Sequence, residues 1–167
     1  MRQLLAIPLL WLLAVSATLA QPATLGHAEK ILVQERLIAL GHLAGRADGQ
    51  FGPVTRRAIG TYQVEQGNPD SGELTPAELE LLLAPLPLEH FDLLDNFDLP
   101  GSDYRSGLSD PRLKNIDLGA CQANCVADRA CKAFTYNVPL RVCFLKRTVP
   151  AQLAFQEAIS GARREAG

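Results

Sequence analysis

The segment Asp48-Gly49-Gln50-Phe51-Gly52-Pro53 decides the fold of the first half of this chain. Asp-Gly is typical of a tight turn, and Gly52-Pro53 places a permissive residue before a proline that suits the first position of a helix. Phe51 lies between these two signals and is an apolar side chain suited to plugging a core. The segment therefore predicts a loop that leads directly into a helix.

A helix is predicted on each side of this loop. Apolar residues recur at three- or four-residue steps from Ala28 to Leu43, and Gly41 and Gly45 mark the end of that helix. After the loop, four residues at i, i+3, i+4 and i+7 form the buried stripe of a second helix of about twelve residues: Thr55, Ala58, Ile59 and Tyr62.

The loop-and-helix pattern returns in Ser71-Gly72-Glu73-Leu74-Thr75-Pro76. Thr75 as N-cap and Glu78 three positions later make a capping box, which predicts a third, short helix before Pro85. Leu74 takes the place of Phe51 as the apolar plug. The first half is thus predicted to be a three-helix bundle over residues 26–84.

Together these residues resemble the peptidoglycan-binding domain of the three-helix type, and the family's second Asp-Gly and Gly-Pro appear here as Ser71-Gly72 and Thr75-Pro76. The resemblance implies peptidoglycan as a partner. A shallow groove for a glycan-peptide polymer needs an aromatic surface with amide or charged donors. The candidate ligand-binding residues are Gln50, Arg57, Tyr62 and Gln63. The alternative is that Tyr62 packs in the core and that Arg57 is a solvated helix charge.

The proline-spaced segment Ala84-Pro85-Leu86-Pro87-Leu88 predicts a domain boundary, with a linker over 85–95. From Glu89 to Asp98 acidic residues are interspersed with phenylalanine and leucine. This pattern suits an amphipathic turn that packs against either the helical module before it or the cysteine-containing module after it.

Four cysteines follow the linker: Cys121, Cys125, Cys131 and Cys143. Two disulfides are the natural interpretation in an exported chain, and four cysteines allow three connectivities. A zinc site is the alternative, but the spacing lacks paired C-x2-C knuckles and has no histidine nearby. The first two cysteines lie on one face of a predicted helix from about Leu118 to Asp128, and strands are predicted over 133–137 and 141–146.

The cysteine pattern, with Ala133-Phe134-Thr135-Tyr136 and Cys143-Phe144-Leu145-Lys146, is similar to the four-cysteine PAN/apple domain, here over 96–150. The resemblance implies nested disulfides, Cys121 to Cys143 and Cys125 to Cys131. It also implies an adhesion module with a protein or carbohydrate partner. Arg141 is a candidate ligand-binding residue, the alternative being a charge that discourages strand-edge pairing. The tail, 151–167, is predicted to be a short amphipathic helix.

The first 20 residues have the form of a secretory signal peptide: Arg2, an apolar run from Leu4 to Val15, and small residues that allow cleavage near Ala20. An uncleaved anchor is the alternative. No later uncharged run is long enough to span a bilayer. The predicted location is therefore periplasmic or extracellular, without stable membrane insertion after cleavage.

The net charge of −2 divides unevenly. Residues 21–100 hold 5 Lys and Arg against 12 Asp and Glu, whereas residues 101–167 hold 10 against 6. The imbalance favours two differently charged units over one domain, and no basic tract indicates nucleic acid as a partner. The predicted helices and strands make the expected fold class α+β, with two small domains.

The sequence shows no nucleophile with a base and no metal-binding motif, so it predicts a non-catalytic protein without a cofactor. The predicted function is an exported bacterial cell-envelope protein that binds peptidoglycan through the helical module and a second partner through the PAN/apple module. One alternative is an interaction protein of an envelope assembly with a degenerate wall-binding fold. Another is an accessory subunit of a peptidoglycan hydrolase.

Overall fold

The computed structural model describes residues 21–84, 86–87 and 90–164, so the predicted signal peptide lies outside the described residues. Three helices come first: α1 (His27–Ala39), α2 (Pro53–Glu65) and α3 (Pro76–Leu83). Strands and one more helix follow: β1 (Phe91–Asp98), β2 (Asp103–Ser106), α4 (Leu118–Ala127), β3 (Ala133–Asn137), β4 (Val142–Lys146) and β5 (Leu153–Arg163). The fold is α+β, with a helical N-terminal region and a sheet-based C-terminal region, as predicted.

Local signals in the sequence set the ends of the helices. α1 stops before Gly41, whose φ of 82° suits a residue without a side chain. α2 begins at Pro53, and α3 begins with the predicted capping box, in which the Thr75 hydroxyl accepts from the Glu78 N–H and the Glu78 carboxylate accepts from the Thr75 N–H. The three predicted helices are confirmed.

The C-terminal region contains a five-stranded antiparallel sheet in the order β1-β5-β3-β4-β2. β1 lies mostly in the segment predicted to be a linker, and β5 lies in the predicted tail. The predicted tail helix is wrong. Residues 153–154 and 159–163 pair with β1 on one side, and residues 158–162 pair with β3 on the other, so an extended conformation satisfies the backbone groups of these residues.

Two disulfides join α4 to its surroundings. Cys121 bonds to Cys143 of β4, and Cys125 bonds to Cys131 in the turn before β3. The nested pairing implied by the PAN/apple resemblance is confirmed, and every cysteine of the chain is in a disulfide. The helix is therefore fixed covalently to the sheet.

One apolar cluster of buried residues runs through both regions, from Ile31 and Leu37 of α1 to Phe134 and Leu145 of the sheet. Phe91 and Phe134 meet edge to face, with ring centroids 5.0 Å apart. The Phe134 ring also covers Gly161, where an added Cβ would lie 2.3 Å from a ring carbon. Helical bundle and sheet thus share a continuous core.

Candidate functional site

The loop 48–50 is held by the buried side chain of Gln34, on α1. The Gln34 Oε1 accepts the N–H groups of Asp48 at 2.9 Å and Gly49 at 2.7 Å. The Gln34 Nε2 donates to the Asp48 carboxylate at 2.8 Å and to the Gln50 carbonyl at 3.0 Å. Since Gln34 is only 2% exposed, one amide side chain fixes the loop from inside the domain.

Gln63, near the end of α2, holds the loop 71–73 in the same way. Its Oε1 accepts the N–H groups of Ser71 at 3.1 Å and Gly72 at 3.0 Å, and its Nε2 donates to the Glu73 carbonyl at 3.0 Å. Gly49 and Gly72 have nearly the same φ, 72° and 68°. The sequence repeat noted above is therefore also a structural repeat, in which a buried glutamine holds a glycine turn.

Two carboxylates at the loops, those of Asp48 and Glu78, are held by hydrogen bonds. Burial acts to raise the pKa of Asp48, but hydrogen bonds from the Gln34 amide and the Gln50 N–H outweigh it and lower that pKa below its usual value. For Glu78, burial likewise acts to raise the pKa, and bonds from Thr75 and Gln63 lower it overall. Both carboxylates stay ionised near neutral pH.

A groove of about 480 Å³ lies between the two loops, and we call it the loop groove. Its rim includes the exposed Gln50, the half-buried Phe51 and the ion pair of Arg56 with Glu73, at 2.9 Å. Residues 22–25 form one wall, anchored by the Ala23 N–H, which donates to the Leu74 carbonyl at 2.7 Å. The groove offers an amide, a guanidinium, the ammonium of Lys30, a carboxylate and an aromatic ring.

The structure does not bring the predicted ligand-binding residues together. Gln50 lines the loop groove, but Gln63 is 1% exposed and its amide bonds to the loop. Tyr62 is 4% exposed, and burial raises its pKa. Arg57 is exposed on α2 but does not line the loop groove, whereas its neighbour Arg56 does.

Two residues were missed by sequence reasoning. Arg56 lies on the side of α2 that meets the loop 71–73, where it pairs with Glu73, and its side chain therefore lines the groove. Gln34 holds a loop 14 residues away in sequence. In the sequence, each of the two loops is preceded by a helix with an internal glutamine. Comparison of the two repeats identifies Gln34 as the counterpart of Gln63.

A second polar site lies where the helical region meets the sheet region. Arg141 lines a cleft here with Glu35, Arg46 and Asp117. The Glu35 carboxylate accepts the N–H groups of Leu118 at 2.8 Å and Gly119 at 3.2 Å, so α1 caps α4. Burial raises the pKa of Glu35 to about 7 despite these bonds.

Asp95 of β1 makes the reverse connection. Its carboxylate accepts the N–H groups of His27 at 2.9 Å and Ala28 at 2.7 Å, the first two residues of α1. Carboxylates are favoured at helix N-termini because they satisfy free N–H groups and complement the helix dipole. Each region thus caps a helix of the other.

Comparison with known proteins assigns both regions. Residues 27–82 match the model of a putative peptidoglycan binding domain, and residues 97–147 match the model of the PAN domain. The chain carries a peptidoglycan-binding domain followed by a PAN domain. Both resemblances seen in the sequence are confirmed.

One matching solved structure is the crystal structure of SltB3 from Pseudomonas aeruginosa in complex with NAG-anhNAM-pentapeptide, at 42% identity and a TM-score of 0.34. The match covers 35% of this chain and 16% of that one, so it spans only a small part of that protein's length. No curated protein matches the chain.

The peptidoglycan-binding domain and the disulfides indicate an extracytoplasmic protein. Across residues 21–84, 86–87 and 90–164, no helix has the length and apolar character needed to cross a membrane. The loop groove lies in the peptidoglycan-binding domain, and the cleft with Arg141 lies between that domain and the PAN domain.

Proposed function

We propose that this protein is an exported, non-catalytic component of the bacterial cell envelope. It binds peptidoglycan in the loop groove, and its PAN domain binds a protein or carbohydrate partner. The observation that carries the proposal is that the loop groove, within the domain matched as peptidoglycan-binding, has an open polar rim beside an aromatic ring. Such a rim suits a polymer that bears hydroxyl, amide and carboxylate groups.

The groups around the groove have separate parts in this proposal. The Gln50 amide donates to and accepts from saccharide hydroxyls, and the Arg56 guanidinium binds a carboxylate or an amide carbonyl. The Phe51 ring gives an apolar surface for a sugar face. Gln34 and Gln63 act as positioning residues, since each holds the loop that presents the groove.

The proposal of a non-catalytic role has two supports. All four cysteines are bonded to one another, so none is a free thiol nucleophile. Within the described residues, no group of three or more histidine, cysteine, aspartate or glutamate side chains could hold a metal ion. Release of soluble fragments from purified wall by the isolated protein would contradict this part of the proposal.

The test is co-sedimentation of the disulfide-intact chain from residue 21 with purified, protein-free sacculi. Arg56→Gln and Arg57→Gln form a matched pair, because both remove one positive charge from an exposed position on α2 and only Arg56 lines the groove. We expect the wild type and Arg57→Gln to pellet alike, and Arg56→Gln and Gln50→Ala to pellet at least threefold less.

Two results would overturn the proposal. Absence of the wild type from the pellet at micromolar protein would remove peptidoglycan binding and favour an interaction protein of an envelope assembly. Loss of binding in Arg57→Gln alone would keep peptidoglycan as the ligand but move the site to Arg57, one of the candidate ligand-binding residues predicted from the sequence. Thermal melts of each variant identify losses caused by unfolding.

A further inference from the structure

The cleft between the two domains has the features of a binding site that is separate from the loop groove. Its volume is about 80 Å³, and both domains contribute to its lining. Ile31, Ile38 and Val138 supply apolar wall, and Tyr136 lies beside them. We call this space the junction cleft.

The acidic and basic side chains of the junction cleft come from both domains. Glu35 and Arg46 belong to the peptidoglycan-binding domain, and Asp117 and Arg141 belong to the PAN domain. The Arg46 Nη2 donates to the Pro139 carbonyl at 2.8 Å, and the Arg141 Nε donates to the Ile116 carbonyl at 3.3 Å. Since a guanidinium has five N–H donors, each arginine keeps donors for a ligand while its position is fixed.

The acidic groups are also fixed in place. Both Glu35 oxygens accept N–H groups of α4, and the Asp117 Oδ1 accepts the Ala120 N–H at 2.6 Å. A carboxylate oxygen has more than one lone pair, so each group can accept a further hydrogen bond. The cleft therefore holds two acidic and two basic side chains whose positions are set by backbone contacts.

The volume limits what can enter. A water needs about 10–15 Å³ by this measure, so the cleft takes roughly five to eight water-sized groups. That is the size of an amino-acid unit without a large side chain and is too small for an acetylated hexosamine. The apolar wall allows for the carbon skeleton of such a unit.

We propose that the junction cleft binds an α-amino acid zwitterion, a carbon that bears both an ammonium and a carboxylate. The unit is either a free amino acid or the free end of a residue in a peptide. Its carboxylate binds the guanidinium groups of Arg46 and Arg141, and its ammonium binds Glu35 and Asp117. Each charge of such a ligand then meets side chains of the opposite kind, two basic and two acidic.

The electrostatics of Glu35 agree with this assignment. Burial raises the pKa of Glu35 to about 7, and the neighbouring Asp117 also raises it, while Arg141 lowers it only weakly. The other charged or titratable groups that line the cleft are Arg46 and Tyr136. An ammonium in the cleft favours the ionised form of Glu35 and lowers its pKa.

The test is an NMR titration of the isotope-labelled, disulfide-intact chain with free diaminopimelic acid, which has two zwitterionic ends. A muropeptide whose peptide ends in diaminopimelate distinguishes a peptide source from a free amino acid. Diaminopimelic acid acetylated on both nitrogens keeps the carboxylates and lacks the ammonium groups. We expect shifts at the Leu118, Gly119 and Tyr136 amides with the first probe and at least tenfold weaker binding of the acetylated probe.

Variants locate the site. The double variant Arg46→Gln with Arg141→Gln should weaken binding of the free probe at least tenfold. Arg129→Gln, an exposed charge outside the cleft, should leave it unchanged. Tighter binding of the muropeptide than of the free probe, by tenfold or more, would indicate a peptide as the source, and equal binding would indicate a free amino acid.

The proposal fails if neither zwitterionic probe shifts the cleft amides at 10 mM, a concentration about tenfold above a millimolar Kd. It also fails if the acetylated probe binds equally well. Either result is independent of the loop groove, because sacculus binding that depends on Arg56 would persist. Conversely, zwitterion binding without sacculus binding would keep the junction cleft and remove the proposed wall-binding function.

Discussion

The Glu35 carboxylate of α1 accepts the backbone N–H of Leu118 at 2.8 Å, so a side chain of the peptidoglycan-binding domain caps the first helix of the PAN domain. Asp95, just before the residues matched as the PAN domain, caps α1 in return. These contacts and the shared apolar core fix the two domains relative to one another. The loop groove and the surface of the PAN domain are then held in a constant geometry.

Glu35 is expected to make stability depend on pH. Burial disfavours the charged form and raises the pKa of Glu35 from its ordinary value of 4.5 to about 7 in the folded protein. The folded state therefore binds more protons than the unfolded state between these values, and its contribution to stability falls as pH rises from about 4.5 to 7. The full effect is about 3 kcal/mol at most, at 1.36 kcal/mol per pKa unit.

Urea unfolding of the wild type and Glu35→Gln at pH 5, 6, 7 and 8 checks this expectation. Glu35→Gln should have the flatter profile over this range, because the amide does not titrate. The matched control is Glu80→Gln, on the exposed surface of α3, which should keep the wild-type slope. Parallel profiles for the wild type and Glu35→Gln would show that the buried carboxylate does not set the pH dependence.

Asp95→Ala should destabilise the protein by about 1–2 kcal/mol, as expected for the loss of a helix N-cap. The substitution leaves the N–H groups of His27 and Ala28 without their carboxylate acceptor. Asp95→Asn retains one acceptor oxygen and should lose less than half as much. Denaturant midpoints at constant m-value give the comparison, and equal losses in both variants would mean that the capping bonds are not the cause.

Gln34→Ala and Gln63→Ala should each destabilise the peptidoglycan-binding domain by about 2–4 kcal/mol, because each leaves two loop N–H groups without an acceptor in a buried site. Gln66→Ala, at an exposed position one residue beyond α2, is the matched control and should change stability by less than about 0.5 kcal/mol.

Amide hydrogen exchange locates the effect of these two substitutions. Protection should fall at Asp48 and Gly49 in Gln34→Ala and at Ser71 and Gly72 in Gln63→Ala. Unchanged exchange at the loop facing the substituted glutamine would contradict the assigned role.

The two disulfides should differ in their contribution to stability. They close segments with sequence separations of 22 for Cys121–Cys143 and 6 for Cys125–Cys131. The chain-entropy relation gives about 3 kcal/mol for the longer loop and about 2 kcal/mol for the shorter one. Paired Cys→Ser variants, compared by thermal and urea unfolding, check the order. A larger loss from the Cys125–Cys131 pair would show that α4 depends more on local fixation than on its connection to β4.

Several features of the fold could be predicted from short stretches of sequence. The loop 48–53, the capping box at Thr75 and the helix of Cys121 and Cys125 all depend on residues within a few positions of each other. Backbone propensity and capping act over that range, so periodicity and turn residues identify them. The cysteine pattern likewise indicated two disulfides, and the family resemblance supplied their pairing.

The tertiary structure decided which distant segments meet. β1 and β5 are paired although 55 residues separate Asp98 from its partner Leu153, and neither segment has a local pattern strong enough to predict that pairing. Contacts between distant segments also form the loop groove and the junction cleft. Arg56 rather than Arg57 faces the groove because of how α2 packs against the loop 71–73. Arg141 lines the same cleft as Glu35 because β1 and α4 dock on α1. The sequence by itself determined the local elements and their chemistry, and long-range packing, whose gain depends on contacts between remote residues, determined their assembly into sites.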